Sequence, residues 1–242
     1  MVSMRGKVIL VGAGPGDPEL ITLKGIKYIK KADVIVYDRL IPTKLLEFAR
    51  RDCKLIYVGK NPYEGNTISQ DFINRILEEE ALKGQLVVRL KSGDPYIYGR
   101  GAEECLYLIE RGIECEVVPG VSSVNAVSAY AGIPLTYKDW SDGIFITSAI
   151  RAGGKLFEFS KVPENCTLIV LMISKHLGEI IENLTKVRDC NEPAAIIEKG
   201  TTYYQRVIEG NLGELRNVSI SSPSLLISGK VVLLRKKLWK LS

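Results

Sequence analysis

Over its first half the chain alternates short runs of β-branched residues with stretches that carry apolar residues at helical spacing. This alternation restricts the fold more than any other feature. Lys7 to Val11, Val34 to Tyr37, Lys54 to Val58, Leu86 to Leu90 and Glu114 to Val118 read as strands. Leu20 to Lys31, Ser69 to Lys83 and Gly101 to Glu110 read as the helices between them. Strands separated by helices pair in parallel, and ligands then collect at the carboxyl ends of the strands. The lobe so defined covers residues 1–135.

After Pro134 the pattern changes. Ile144 to Ser148, Thr167 to Ile173, Ala194 to Glu198, Gln205 to Glu209 and Leu225 to Leu234 read as strands, with His176 to Val187 as the one clear helix. Strands that follow one another without helices indicate a mixed sheet, so residues 136–242 are expected to form a second α/β lobe. Ser219 to Ser224 reads as a loop. The expected class is α/β in two lobes, with a ligand in the cleft between them.

Composition narrows the function classes. With 46% hydrophobic residues in 242, the chain can bury a substantial core. The net charge of +5 is spread along the chain, which favours an anionic ligand without marking a nucleic-acid surface. Zinc-finger spacing, a basic-region helix and an aromatic RNA-binding signature are all missing, so nucleic acid is not the expected partner. Five cysteines stand apart with no C-x-x-C pair and no neighbouring histidine, so no metal site is expected. They read as free thiols of a reducing, cytoplasmic environment. No apolar run approaches the roughly 20 residues that span a bilayer, so no membrane partner is expected.

Gly12-Ala13-Gly14-Pro15-Gly16-Asp17-Pro18 follows the first strand, where a Rossmann loop would stand. The spacing differs from G-x-G-x-x-G, because the third glycine would fall on Asp17, and Pro15 removes an amide that a pyrophosphate needs. A dinucleotide is therefore the weaker reading, and a plain strand-to-helix turn stands beside it.

Further segments supply what this loop alone does not. Gly12 to Pro18, Leu20-Ile21-Thr22-Leu23-Lys24-Gly25 and Ala32 to Leu40 are followed by Val58-Gly59-Lys60, Val87 to Pro95 and Gly99-Arg100-Gly101. Then come Val118-Pro119-Gly120-Val121-Ser122-Ser123, Ala131 to Thr136 and finally Val231 to Arg235. In this order and spacing they resemble the tetrapyrrole methylase family over nearly the whole chain. Tyr37-Asp38-Arg39-Leu40 followed by Val58-Gly59-Lys60 is similar to the members that act on uroporphyrinogen III.

The resemblance implies two α/β lobes with S-adenosylmethionine (SAM) between them, S-adenosylhomocysteine as product, a tetrapyrrole substrate and a homodimer. By resemblance Pro15 lines the cofactor pocket, and Ser92-Gly93-Asp94 forms the loop in which the family usually has Gly-Gly-Asp. Ile97 and Met172 would pack the adenine or the thioether, while Ser122, Ser123 and Gly200 would offer backbone groups. Asp38 matches a proton acceptor and Lys60 a proton donor. Arg39, Lys91, Arg100 and Lys138 are the cations beside these motifs that could meet a polycarboxylate substrate.

Two segments depart from the family on the substrate side. Thr136-Tyr137-Lys138 stands for the usual Thr-His-Arg, and Thr147-Ser148-Ala149-Ile150 for Thr-Gly-His-Leu. The one histidine, His176, falls at a helix start and reads as a surface residue. A later precorrin as acceptor, a nicotinamide oxidoreductase and a non-catalytic SAM-binding or tetrapyrrole-binding protein are the competing readings.

Overall fold

The computed structural model describes residues 6–59, 69–151 and 154–240. The chain forms two compact units, Met1–Ser122 and Ser123–Ser242. Of the site candidates, Lys60 lies outside the described residues.

In the first unit β1 (Lys7–Gly12), β2 (Val34–Tyr37), β3 (Lys54–Tyr57), β4 (Leu86–Lys91) and β5 (Glu114–Val118) form a sheet of order β3-β2-β4-β1-β5. Every pairing in it is parallel. Helix α1 (Leu23–Lys31) starts at Thr22, whose hydroxyl accepts from the Gly25 amide at 3.0 Å. Helices α2 (Gln70–Leu82) and α3 (Gly101–Ile109) follow.

Side chains alternate along β1, so Ile9 and Val11 pack with Ile29 of α1, while Val8 and Leu10 pack with Leu77 of α2 and Leu108 of α3. Helices therefore cover both faces, and Val8 to Val11 of β1 is an uninterrupted apolar run because neither face meets water there. In register, Gly12 stands opposite Lys91, Val11 opposite Val118, and Tyr37 opposite both Leu90 and Tyr57. The loops that leave these strands consequently share one edge.

Cys105 of α3 and Cys115 of β5 are joined by a disulfide, their Cα atoms 5.5 Å apart. The expectation of five free thiols is corrected to three: half-buried Cys53, buried Cys166 and exposed Cys190. Spacing along the chain does not reveal the pair, because the packing of α3 on β5 creates it.

The second unit opens with α4 (Ser123–Tyr130) and continues with β6 (Gly143–Ser148), β7 (Cys166–Leu171), α5 (Leu177–Leu184), β8 (Pro193–Glu198), β9 (Arg206–Asn211) and β10 (Ser224–Ser228). Its sheet has the order β6-β7-β10-β8-β9, with β6 and β7 parallel and the remaining pairs antiparallel. Ile180, Ile181 and Leu184 of α5 cover one face. Val124 and Val127 of α4, with Val231 and Val232, cover the other.

Two expectations change here. The boundary falls at Ser122 and Ser123 rather than at Leu135, because α4 packs on the second sheet. The strand expected over Leu225 to Leu234 ends at Ser228, where Gly229 takes a φ of +141°, and Lys230–Lys236 forms 3-10 turns. Val231 and Val232 are apolar because they close the core from the end of the chain, and not because they lie in a strand.

Candidate functional site

At the loop edge of the first sheet three glycines bring three strand ends into contact. A Cβ on Gly12 would stand 2.5 Å from the Gly120 backbone and 2.7 Å from the Gly93 carbonyl. Gly14 and Gly93 exchange backbone hydrogen bonds of 3.4 and 2.8 Å, and both take the left-handed φ that glycine adopts freely. Pro15 follows Gly14 in this turn, half-buried.

Asp94 fastens the third strand end. Its carboxylate accepts from the Gly120 amide at 3.1 Å and from the Tyr96 amide at 2.8 Å. Asp94 thus holds the loop in shape, a role that its Asp-Pro turn signature alone does not announce. Ser92 has none of the left-handed strain of its neighbour Gly93, so serine in the usual glycine position is accommodated. Ile97, with Tyr96 and Tyr98 on either side, projects as an exposed apolar group from the same loop. Tyr98 and Arg100 both have positive φ around Gly99, a strained backbone of the kind found at ligand clamps.

Beneath the end of β2 lies a buried charge cluster. Arg89, with 3% of its side chain exposed, donates to Asp38 at 3.2 Å and stands 3.5 Å from Glu104. Glu104 is fully buried and accepts from Lys91 at 2.8 Å and from Gln70 at 3.1 Å on one oxygen. Burial, and then the neighbouring Arg89, pushes the Lys91 amine below its ordinary value, while Glu104 opposes the shift.

Asp38, a third exposed, is therefore oriented from below by an arginine that carries little freedom of its own. Lys91 is not available to a substrate. The cation expected to face carboxylates is sealed into the fold by Glu104. Arg39 and Lys138 are exposed, and Arg100 is exposed with its guanidinium on Glu103 at 2.9 Å.

Two of the expected cofactor positions in the second unit, Met172 and Gly200, sit on strained turns. Met172, just beyond β7, is 54% exposed and has a φ of +61°. Such a side chain, apolar and left-handed at a strand end, is neither ordinary core nor an ordinary turn residue. Gly200 is buried between Lys199 and Thr201, both left-handed, and its Cα hydrogens face Val127 so closely that a Cβ would stand 2.4 Å from a Val127 methyl. Ser122 is buried, and Ser123 is the first residue of α4. His176 precedes α5, half-buried, beside Glu179.

The structure thus gathers Pro15, Ser92, Gly93, Asp94 and Ile97 at one edge of the first unit, and places Gly200 against the helix that Ser123 begins. Arg89 and Glu104 carry this geometry; Arg89 lies within the Val87 to Pro95 segment but drew no role there, and Glu104 lies outside every motif, since an Arg or Glu usually lies on the surface. An exposed apolar residue beside a glycine cradle fits the adenosine and thioether of SAM. Among the described residues no His, Cys, Asp and Glu cluster could hold a metal, and no helix is long and apolar enough to cross a membrane.

Residues 7–216 match the Tetrapyrrole (Corrin/Porphyrin) Methylases family. A solved uroporphyrin-III C-methyl transferase from Thermus thermophilus, complexed with S-adenyl homocysteine, is 38% identical, with a TM-score of 0.83 over 94% of this chain and 93% of that one. A cobalt precorrin-4 methyltransferase is 25% identical, with a TM-score of 0.81 over 93% and 95% of the two chains. Siroheme synthase 2 of Pectobacterium atrosepticum is 47% identical over 240 residues, 97% of this chain and 52% of the relative. The chain therefore spans about half the length of that synthase. The match of the profile to most of the chain and the fold shared almost end to end with a 38% identical enzyme agree with the motifs met in sequence: the chain belongs to the tetrapyrrole methylase family.

Proposed function

We propose that the protein is a SAM-dependent C-methyltransferase that methylates uroporphyrinogen III at C-2 and C-7 to give precorrin-2, on the way to siroheme or cobalamin. The observation that carries this reading is the end-to-end likeness to the Thermus enzyme, whose solved complex holds S-adenyl homocysteine. A cytoplasmic homodimer is part of the same proposal. Bound SAM supplies a methyl group on a sulfonium, a good leaving group, so the chain itself needs neither a metal nor a covalent intermediate.

What remains for the protein is alignment and proton transfer. Pro15, Ser92, Gly93, Asp94, Ile97, Ser122, Ser123, Met172 and Gly200 would hold the cofactor. Asp38, its carboxylate aimed by Arg89, would accept the proton that the macrocycle releases to discharge the positive charge left by methylation, because the methylated ring carbon already bears a side chain and has no proton to lose. Lys60 would donate a proton. Arg39, Arg100 and Lys138 would meet the substrate carboxylates, Arg100 by exchanging Glu103 for one of them.

Incubation with uroporphyrinogen III and SAM, followed for a red-shifted methylated product, tests the reading. Turnover on a later precorrin alone would move the enzyme down the pathway, as the precorrin-4 methyltransferase likeness allows. SAM binding without turnover on either would make the chain a sensor. Asp38→Asn and Lys60→Met are each expected to lower kcat by about 10²-fold or more with SAM affinity nearly unchanged. Full turnover in both variants would reject the assignment.

A further inference from the structure

The turn that carries Gly200 is strained on both sides. Lys199 and Thr201 have φ of +47° and +65°, and Thr201 is buried. Non-glycine residues persist there only when their surroundings over-determine the backbone. Two side chains contribute: Thr202 donates from its hydroxyl to the Lys199 carbonyl at 2.7 Å, and Gln205 braces the turn against α4. Gln205 accepts from the Thr201 amide at 2.8 Å through Oε1, and donates through Nε2 to the Tyr130 carbonyl at 3.1 Å.

Tyr130 is the last residue of α4, and Ser123 is its first. Gly200 itself rests on Val127, in the middle of the same helix. Gln205 therefore ties together the two second-unit segments that carry candidate cofactor contacts, although it lies outside every motif of the sequence.

We propose that Gln205 is the positioning residue that holds the Gly200 turn against α4 in the form that binds the cofactor. This rests on the reading of Gly200 as a cofactor position. A neutral carboxamide accepts and donates at once; leucine does neither, and glutamate does both only when protonated. Glutamate is nearly the same size, so it separates hydrogen bonding from packing.

The test uses the full chain, with S-adenosylhomocysteine (SAH) binding measured by calorimetry and turnover measured against SAM concentration. Gln205→Leu is expected to raise the SAH Kd and the KM for SAM about tenfold, with kcat at saturating SAM within about twofold of wild type. Gln205→Glu is expected to bind SAH weakly at about pH 8 and to recover as the pH falls to about 4, where the acid regains its proton. A role in folding alone would lower thermal stability without this pH-dependent recovery of affinity.

Hydrogen exchange on wild-type protein keeps the two readings apart. If SAH leaves the amides of residues 199–205 unprotected, Gly200 is not a cofactor position, and the proposal falls with it. If SAH protects them but both variants keep the wild-type KM and Kd, the Gly200 reading stands and the role of Gln205 is overturned. Gln205→Glu carries the test if Gln205→Leu does not fold.

Discussion

The two units hold their candidate sites by opposite means. In the first, beside the glycine cradle, charge fixes the candidate proton acceptor: Asp38 is aimed by Arg89, and Arg89 and Lys91 share the fully buried Glu104. In the second, shape and neutral amides fix them: Gly200 is fitted against Val127, and Gln205 bonds two backbone groups. The difference teaches what each region can tolerate. A buried ionic cluster is rigid but fails badly when one member is lost, because the remaining charges have no water to turn to. A sterically fitted turn fails in proportion to the volume inserted.

The largest effect is expected at the ionic cluster. Glu104→Leu leaves Arg89 and Lys91 without their shared counter-charge, and we expect a loss of about 3–5 kcal/mol in urea denaturation. A loss below about 1 kcal/mol would mean that water reaches the cluster, and the contrast between the units would collapse.

An intermediate effect is expected at the fitted turn. Gly200→Ala is predicted to cost about 1–3 kcal/mol by overpacking against Val127. Part of this loss returns when Val127→Ala removes the opposing methyls. A double-mutant cycle in thermal or chemical denaturation measures that coupling, and strict additivity would show that the collision is not what limits the site.

The smallest effect concerns acid. Hydrogen bonds from Lys7 and then Tyr28 hold the Glu116 carboxyl below its ordinary 4.5, tying β1 and α1 to β5. A lowered acid contributes stability that is present above the unfolded value and is lost as pH falls through the folded one. Wild type is therefore expected to melt slightly higher than Glu116→Gln at neutral pH, with the gap closing below about pH 4.5. A gap that stayed constant to low pH would assign the contribution of Glu116 to packing. The pair is partly exposed, which keeps the effect small.

Much of the first unit is legible in the sequence. Val34 to Tyr37 and Glu114 to Val118 are strands residue for residue, because β-branched runs closed by turn residues report a local preference. The second unit is less so. Helix α4, Ser123–Tyr130, mixes small and β-branched residues, and its few apolar positions gain meaning only from the sheet they cover. Leu225 to Leu234 joined a strand to a 3-10 segment because one continuous apolar run serves two packing purposes.

Patterns of neighbours in the chain were enough for the βα alternation, the glycine loop after β1 and membership of the family, since each depends on residue type at short spacing. Tertiary structure alone decided that Lys91 is buried on Glu104, that Cys105 and Cys115 are bonded, that Gly12 meets Gly120, and that Gln205 reaches Tyr130. Each of these joins groups ten or more residues apart. Whether such a side chain is a solvated charge or a buried partner depends on which surface the fold presses against it, and spacing along the chain carries no record of that surface.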